Sequence, residues 1–337
     1  MNSSKKYFPY GKHYLDQKDI NSVVKVLKSS SLTQGPKIYE TEKYIANYVG
    51  SKYAVLVSSC TAGLHISYKA LDLDSNSKTI LSPITFVSTA NASLYCGSKV
   101  IFSDIDEDNV NISPISLKKN IHKNNKIKCI MPVHFGGVPC DMKKIKSIAK
   151  KKIKIIEDAA HAIGSKYLSG EKVGSCRYSD LTVFSFHPVK IVAGGEGGVV
   201  TTNSKRLYLK LLEYRSHGIS KNENEPFINK KEGYSKGKKN LWFYEMKELG
   251  FHYRQTDIHS ALILSQMKKI NKFLKNRYKL AKRYDFFFKN HKNIELVQEK
   301  YRKFSSNHLY VIKILFKNLK INRNEFMQKL RKLNIIS

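Results

Sequence analysis

Acidic side chains are scarce. Only 27 Asp and Glu stand against 60 Lys and Arg, a formal net charge of +33. Nine of the 60 basic residues are Arg, leaving 51 Lys. Such an excess invites a nucleic-acid reading. The pattern opposes it, because the lysines are scattered, as in KKNIHKNNKIK (118–128), like solvated helix faces and strand edges. No helix-turn-helix, zinc-finger or aromatic RNA-binding signature accompanies them. The chain is also rich in Asn, Ile, Tyr and Phe, which share A/T-rich codons with Lys, and we attribute the charge to that bias.

Other absences narrow the class further. No apolar run approaches the ~18 residues of a membrane helix. The first residues, MNSSKKYFPYGKHY, lack an apolar segment after their lysines, so no secretory signal is expected. The five cysteines are odd in number and none form CxxC spacing, which predicts reduced thiols in a cytoplasmic protein and no metal site. There is no internal repeat and no low-complexity linker. Hydrophobic residues make up 41% of 337, enough for a full core. At about 150 residues per domain, two domains are expected.

What is present alternates. Short apolar runs at 54–59, 79–82, 99–106, 127–135, 153–160, 181–186 and 198–203 read as strands, with helix-like stretches such as 61–73, 85–97 and 142–151 between them. This predicts an α/β fold, a mostly parallel sheet sandwiched by helices. Residues 219–248, polar and Gly/Lys-rich with a single Trp at 242, read as a flexible excursion. One long helix is predicted over 256–288, then a strand at 308–316 and an amphipathic helix at 322–335.

In such sheets ligands bind beyond the carboxyl ends of the strands. The distinctive residues fall there: Ser58–Thr61, His134, Asp158–His161 and Ser185–Lys190. SSCTAGLH (58–65) starts a helix whose free N–H groups and dipole favour an anion, unless it is an ordinary cap. IIED (155–158) ends a buried strand on two acids, and a buried carboxylate needs a cation or good donors. Lys190 stands among Val189, Ile191 and Val192, after Pro188 and before GGEGG, and a desolvated lysine can serve as nucleophile and base. Phosphate anchor, carboxylate and desolvated lysine together meet the needs of pyridoxal 5'-phosphate (PLP).

The segments SLTQGPKIYETE, VSSCTAGLH, SPITFVSTANASLYCG, PVHFGG, IIEDAAHAIGS, SDLTVFSFHPVK, GEGG, RSHGI and LGFHYRQTDIHSALILSQ occur in that order. They resemble the DegT/DnrJ/EryC1/StrS family of sugar aminotransferases, across about residues 5–335. The SFHPVK form is most similar to the branch serving pseudaminic acid biosynthesis, which aminates a UDP-linked 4-keto-6-deoxy-N-acetylhexosamine with L-glutamate as donor. The resemblance implies a fold type I PLP-dependent transferase of the aspartate aminotransferase kind. Its large PLP-binding domain would span 1–255, followed by a connecting helix and a smaller C-terminal α+β domain over 256–337. It further implies a homodimer with shared active sites.

By position, the resemblance implies that Lys190 binds the cofactor covalently and moves the proton. Asp158 would pair with the pyridine nitrogen, and Phe86 would stack on the ring. Thr61, the Ala62 backbone and Ser185 would hold the phosphate. His161 would lie near the ring's phenolic oxygen. His187, Arg215 and Arg254 would face the sugar nucleotide. Three departures stand out. His252 replaces the Asn that reaches the partner's phosphate. Ala193-Gly194 replaces a Thr-Thr pair. Relatives continue several dozen residues past Ser337, so the small domain is expected to be incomplete. Sugar dehydratases of the same fold carry His where this chain has Lys190, which favours amination. An inactive fragment or sensor is the reading from a different class.

Overall fold

The computed structural model describes residues 7–150, 152–220 and 225–336. Helices α1 (Gln17–Leu27) and α2 (Pro36–Val49) precede β1 (Tyr53–Val57) and α3 (Cys60–Ala70). Next come β2 (Lys78–Leu81), α4 (Val87–Tyr95), β3 (Lys99–Phe102), α5 (Pro114–Lys123), β4 (Ile127–Met131) and α6 (Met142–Ala149). Strands β5 (Lys154–Asp158), β6 (Leu181–Ser185) and β7 (Gly198–Thr202) lead to α7 (Lys205–Arg215). Every strand expected up to residue 203 is present.

These seven strands form one sheet in the order β1-β7-β6-β5-β4-β2-β3. Only β7 runs against the others, pairing antiparallel with both β1 and β6. Val55, Val57, Leu81, Ile156 and Val183 pack on one face beneath α3, α4 and α7. Leu56, Ile80, Ile130, Ile155 and Phe184 pack on the other beneath α2, α5 and α6. Burial on both faces accounts for runs that are continuously apolar rather than alternating.

Within 219–248 the described residues form a short α8 (Lys230–Gly233) and a β8 (Tyr234–Ser235) to β9 (Lys238–Lys239) hairpin. Residues 221–224 of that stretch lie outside the described ones. The single helix expected over 256–288 is instead two, α9 (Asp257–Met267) and α10 (Ile270–Phe288). The junction packs on Asp19, which is fully buried, and Ser265 Oγ, Gln266 Nε2 and Lys269 Nζ converge on its carboxylate. An unpaired buried carboxylate is costly, and Lys269, between the two helices, supplies the cation.

The strand expected over 308–316 is shortened to β11 (Ile312–Ile314), antiparallel to β10 (Ile294–Leu296). Its first half is held elsewhere: Leu309 N–H donates to the Gly136 carbonyl, and Ser306 Oγ to that of His161. Helix α11 (Arg323–Lys332) follows, opened by a reciprocal Asn322–Glu325 cap. Among the described residues no helix is long and apolar enough to cross a membrane.

Candidate active site

Three strand ends meet at one edge of the sheet. β1 runs through Ser58 and Ser59 into α3, β5 ends on Asp158, and β6 ends on Ser185. The start of β7 lies between β1 and β6. Its Gly198 is required there, because a Cβ would sit 2.7 Å from Cys60 N and from Ser59 O. Gly63 is equally constrained, with a Cβ only 2.9 Å from Val183. Glycine at these points lets the start of α3 close on the sheet.

That start is partly used by its own cap. Ser59 Oγ accepts the Ala62 N–H at 3.1 Å, and Ser59 O accepts that of Gly63. The Ala62 N–H, expected to help hold the phosphate, serves that cap here, and among the described residues the Cys60 and Thr61 N–H groups and the Thr61 hydroxyl have no partner. Ser185 is 5% exposed and its Oγ accepts only a long contact from His187 N, at 3.4 Å.

Of the two acids ending β5, only Asp158 is available. Glu157 points to the opposite face, fully buried. It accepts from His134 Nε2 at 2.7 Å, Tyr167 Oη at 2.8 Å and Thr182 Oγ1 at 3.0 Å, and also from Ser179 Oγ. His134 Nδ1 accepts the Cys140 N–H, which places its proton on Nε2. Burial alone would raise the Glu157 pKa, but His134 and the hydroxyls outweigh it and lower it. Asp158 receives just Thr89 Oγ1 at 2.7 Å and the Ala160 N–H at 3.1 Å on its carboxylate.

Lys190 lies in a loop strapped at its base by Phe186 N–H to Gly197 O and Gly194 N–H to Phe186 O. Gly195 and Gly197 take positive φ of 81° and 157°, as the tight return needs. Burial lowers the Lys190 pKa, with Asp158 and Cys60 opposing. His161 is half-buried and held neutral, its pKa pushed to about 3 first by loss of solvent and then by the Lys190 charge. Its Nδ1 accepts the Gly136 N–H at 3.3 Å, so Nε2 carries the hydrogen. The structure thus brings Thr61, Ser185, Asp158, His161 and Lys190 to one strand-end edge.

Two site residues escaped sequence reading. Thr89 is one, visible only as a polar position one turn into α4; Thr85 Oγ1 backs it at 2.6 Å. His308 is the other, hidden in an apolar run. Its ring lies 4.6 Å from that of His161, and burial, His161, Lys190 and Arg277 keep it neutral.

Of the remaining expected residues, Arg215 and Arg254 line one cavity of about 290 Å³. Phe86 precedes α4 and is 71% exposed. His187 is exposed in the lysine loop. His252 is exposed and stacks on His217 at 5.3 Å. Arg254 bridges to Val57 beside α3, with its Nε unpartnered. Arg215 is 9% exposed, and its Nη1 donates to Glu42 Oε1 at 2.7 Å and to Leu56 O at 2.8 Å. Glu42 is buried and also accepts the Leu56 N–H at 2.8 Å, so the pair ties Arg215 to the fold while its Nε keeps no partner among the described residues.

The chain resembles proteins of one kind. It is 39% identical over 324 residues to the UDP-4-amino-4,6-dideoxy-N-acetyl-beta-L-altrosamine transaminase of Campylobacter jejuni, covering 95% of this chain and 80% of that one. Its structure superposes on the Helicobacter pylori aminotransferase PseC, involved in the biosynthesis of pseudoaminic acid, with a TM-score of 0.85. That match has 31% identity and covers 98% of this chain and 83% of the other. The PLP form of a putative sugar aminotransferase from Streptococcus pneumoniae matches with a TM-score of 0.84 at 25% identity, covering 98% and 83%. Residues 13–337 match the DegT/DnrJ/EryC1/StrS aminotransferase family as a whole, and the chain belongs to that family.

Proposed function

We propose that this chain is a PLP-dependent aminotransferase moving an amino group from L-glutamate to C4 of a UDP-linked 4-keto-6-deoxy-N-acetylhexosamine. It would work as a cytoplasmic homodimer, with 1–255 as the cofactor-binding domain and 256–337 as the connecting helices and C-terminal domain. The observation that carries the reading is a half-buried Lys190 on its strapped loop, gathered with Asp158 at the end of β5 beside the start of α3.

The residues fit the cofactor. The Gly198 contact leaves the first turn of α3 bare at the sheet edge, and a phosphate suits the Cys60 and Thr61 N–H groups with the Thr61 and Ser185 hydroxyls. Asp158, aimed by Thr89 and Ala160, suits a protonated ring nitrogen. PLP supplies an aldehyde that carries the amino group and a ring that withdraws electrons from the carbon losing a proton. Burial makes the Lys190 ammonium easier to deprotonate, so its Nζ would hold the aldehyde carbon of the bound cofactor and would take and return that proton. His161, locked neutral with its hydrogen on Nε2, offers a donor that adds no charge. Phe86 offers an exposed aromatic face for stacking on the ring. His187, Arg215 and Arg254 are proposed toward the sugar nucleotide, and His252 toward the partner's phosphate.

The test is chemical. Borohydride should fix PLP on the peptide containing Lys190. L-glutamate should bleach the visible band, and the keto sugar should restore it. Lys190→Arg should abolish turnover, because a guanidinium stays protonated. Fixation at another lysine, or no PLP bound at saturation, overturns the reading.

A further inference from the structure

A cavity opens on the lysine loop and shares Lys190 with the site described above. It holds about 420 Å³ between residues 12–14, the loop carrying Lys190, and α10. Five basic side chains line it: Lys12, His13, Lys190, Lys272 and Arg277. No acidic residue does. Tyr14, Ile191, Phe273 and Leu280 give it apolar walls.

The cleft is built rather than incidental. Gln266 Nε2 donates to the Tyr14 carbonyl at 3.0 Å, and the Tyr14 ring meets Phe273 edge-on at 6.2 Å. These contacts fix the N-terminal segment against α10. Arg277 is fixed too. Its Nη1 donates to the carbonyls of His308 at 3.1 Å and Asn307 at 3.4 Å. Among the described residues no carboxylate pairs with Arg277, Lys12 or Lys272. Burial pulls Arg277 below its usual pKa, the mark of a cation short of compensation. A guanidinium has five donors in a planar fork, and two carbonyls on one nitrogen leave most of that fork for a ligand.

We propose that this cleft is the substrate's oxyanion subsite, with Arg277 as its fixed anchor and Lys272 and Lys12 closing over a dianion. Two substrates of the reaction share that chemistry, the dicarboxylate of the amino donor and the diphosphate of the sugar nucleotide. The proposal rests on the aminotransferase reading for its choice of ligands. The cleft itself is read from cations, walls and an unmatched guanidinium.

The experiment titrates 2-oxoglutarate and UDP directly into the PLP-loaded full chain by calorimetry, with acetate as a monoanion control. Wild type is compared with Arg277→Gln and Lys272→Glu. Lys272 is exposed, so its charge reversal leaves the fold intact even where loss of Arg277 disturbs it. Lys272→Glu should weaken at least one dianion by about tenfold or more, as loss of a charge-assisted contact requires. Weakening of 2-oxoglutarate alone assigns the dicarboxylate, and weakening of UDP alone assigns the diphosphate. Unchanged affinity for both probes in both variants, or no dianion binding by wild type, overturns the proposal. Borohydride fixation at Lys190 is measured on the same samples. Normal fixation with unchanged dianion affinity sinks the cleft alone, whereas absent fixation sinks the aminotransferase reading.

Discussion

Thr89 donates to Asp158 Oδ2 at 2.7 Å, from one turn inside α4 across to the end of β5. Thr85 Oγ1 contacts Thr89 Oγ1, and since Thr89 gives its proton to Asp158, Thr85 must give its own to Thr89. The chain of hydroxyls orients the carboxylate and leaves its charge in place. Orientation of this kind typically governs a site as strongly as the groups that touch the ligand.

Thr89→Val keeps the shape and removes the donor. Turnover should fall about tenfold while substrate KM stays near wild type, because Asp158 is misaimed rather than lost. Stability should drop by about 1 kcal/mol. Steady-state kinetics and urea midpoints check both. Wild-type turnover would show that Ala160 N–H suffices to hold Asp158.

Arg215 and Glu42 form a buried pair, 11% and 7% exposed at the side chain. Arg215→Met should destabilise by about 3–5 kcal/mol, because a buried carboxylate is left without its cation. Adding Glu42→Leu should recover much of that loss, since two apolar groups replace two charges. Thermal unfolding of the four proteins reads the coupling. A double variant no better than the single one would place the cost in packing.

Acid should weaken the fold through His161. Its pKa falls from 6.5 to about 3 on burial. Between these values the unfolded chain binds a proton that the folded chain refuses, so stability is full above pH 6.5 and is lost progressively towards pH 3. His308 shifts the same way. In His161→Phe the decline should be shallower. Urea midpoints at neutral pH and at about pH 5 test the sign. Parallel declines in the two proteins would assign the acid sensitivity to other groups.

The strands and their order along the chain were legible because each is a local apolar run, and the strand-end positions of Asp158, Ser185 and Lys190 followed from them. What was not legible depends on partners far away in sequence. Lys269, at the junction between α9 and α10, pairs with Asp19, 250 residues before it. The fate of Arg215 is set by Glu42, 173 residues earlier. Glu157 and Asp158 look alike in IIED, and only the sheet decides which acid meets His134 and Tyr167 and which stays available. The cap that Ser59 places on the Ala62 N–H was not legible either, because it depends on a single rotamer.

Gly198 separates the cofactor site from the fold. It sits in β7, paired with Val57 and Ser185, where an extended backbone suits any residue. The demand for glycine comes instead from α3: a Cβ at this point would be 2.7 Å from Ser59 O and Cys60 N. Backbone cannot rotate aside as a side chain can, so Gly198→Ala must push the start of α3 outward. Such overpacking costs about 1–3 kcal/mol. The free N–H groups of Cys60 and Thr61 move with it, away from the Ser185 hydroxyl. PLP affinity should therefore fall about tenfold or more, as misplaced charge-assisted donors imply. Ala at Gly170, where nothing lies within 4 Å but φ is +103°, is the control for a glycine demanded by backbone strain alone: it should lower the melt and leave PLP affinity unchanged. Equilibrium dialysis against PLP alongside thermal melts separates the two effects. A Gly198→Ala protein that melts lower yet binds PLP as wild type would place the phosphate elsewhere than at the start of α3.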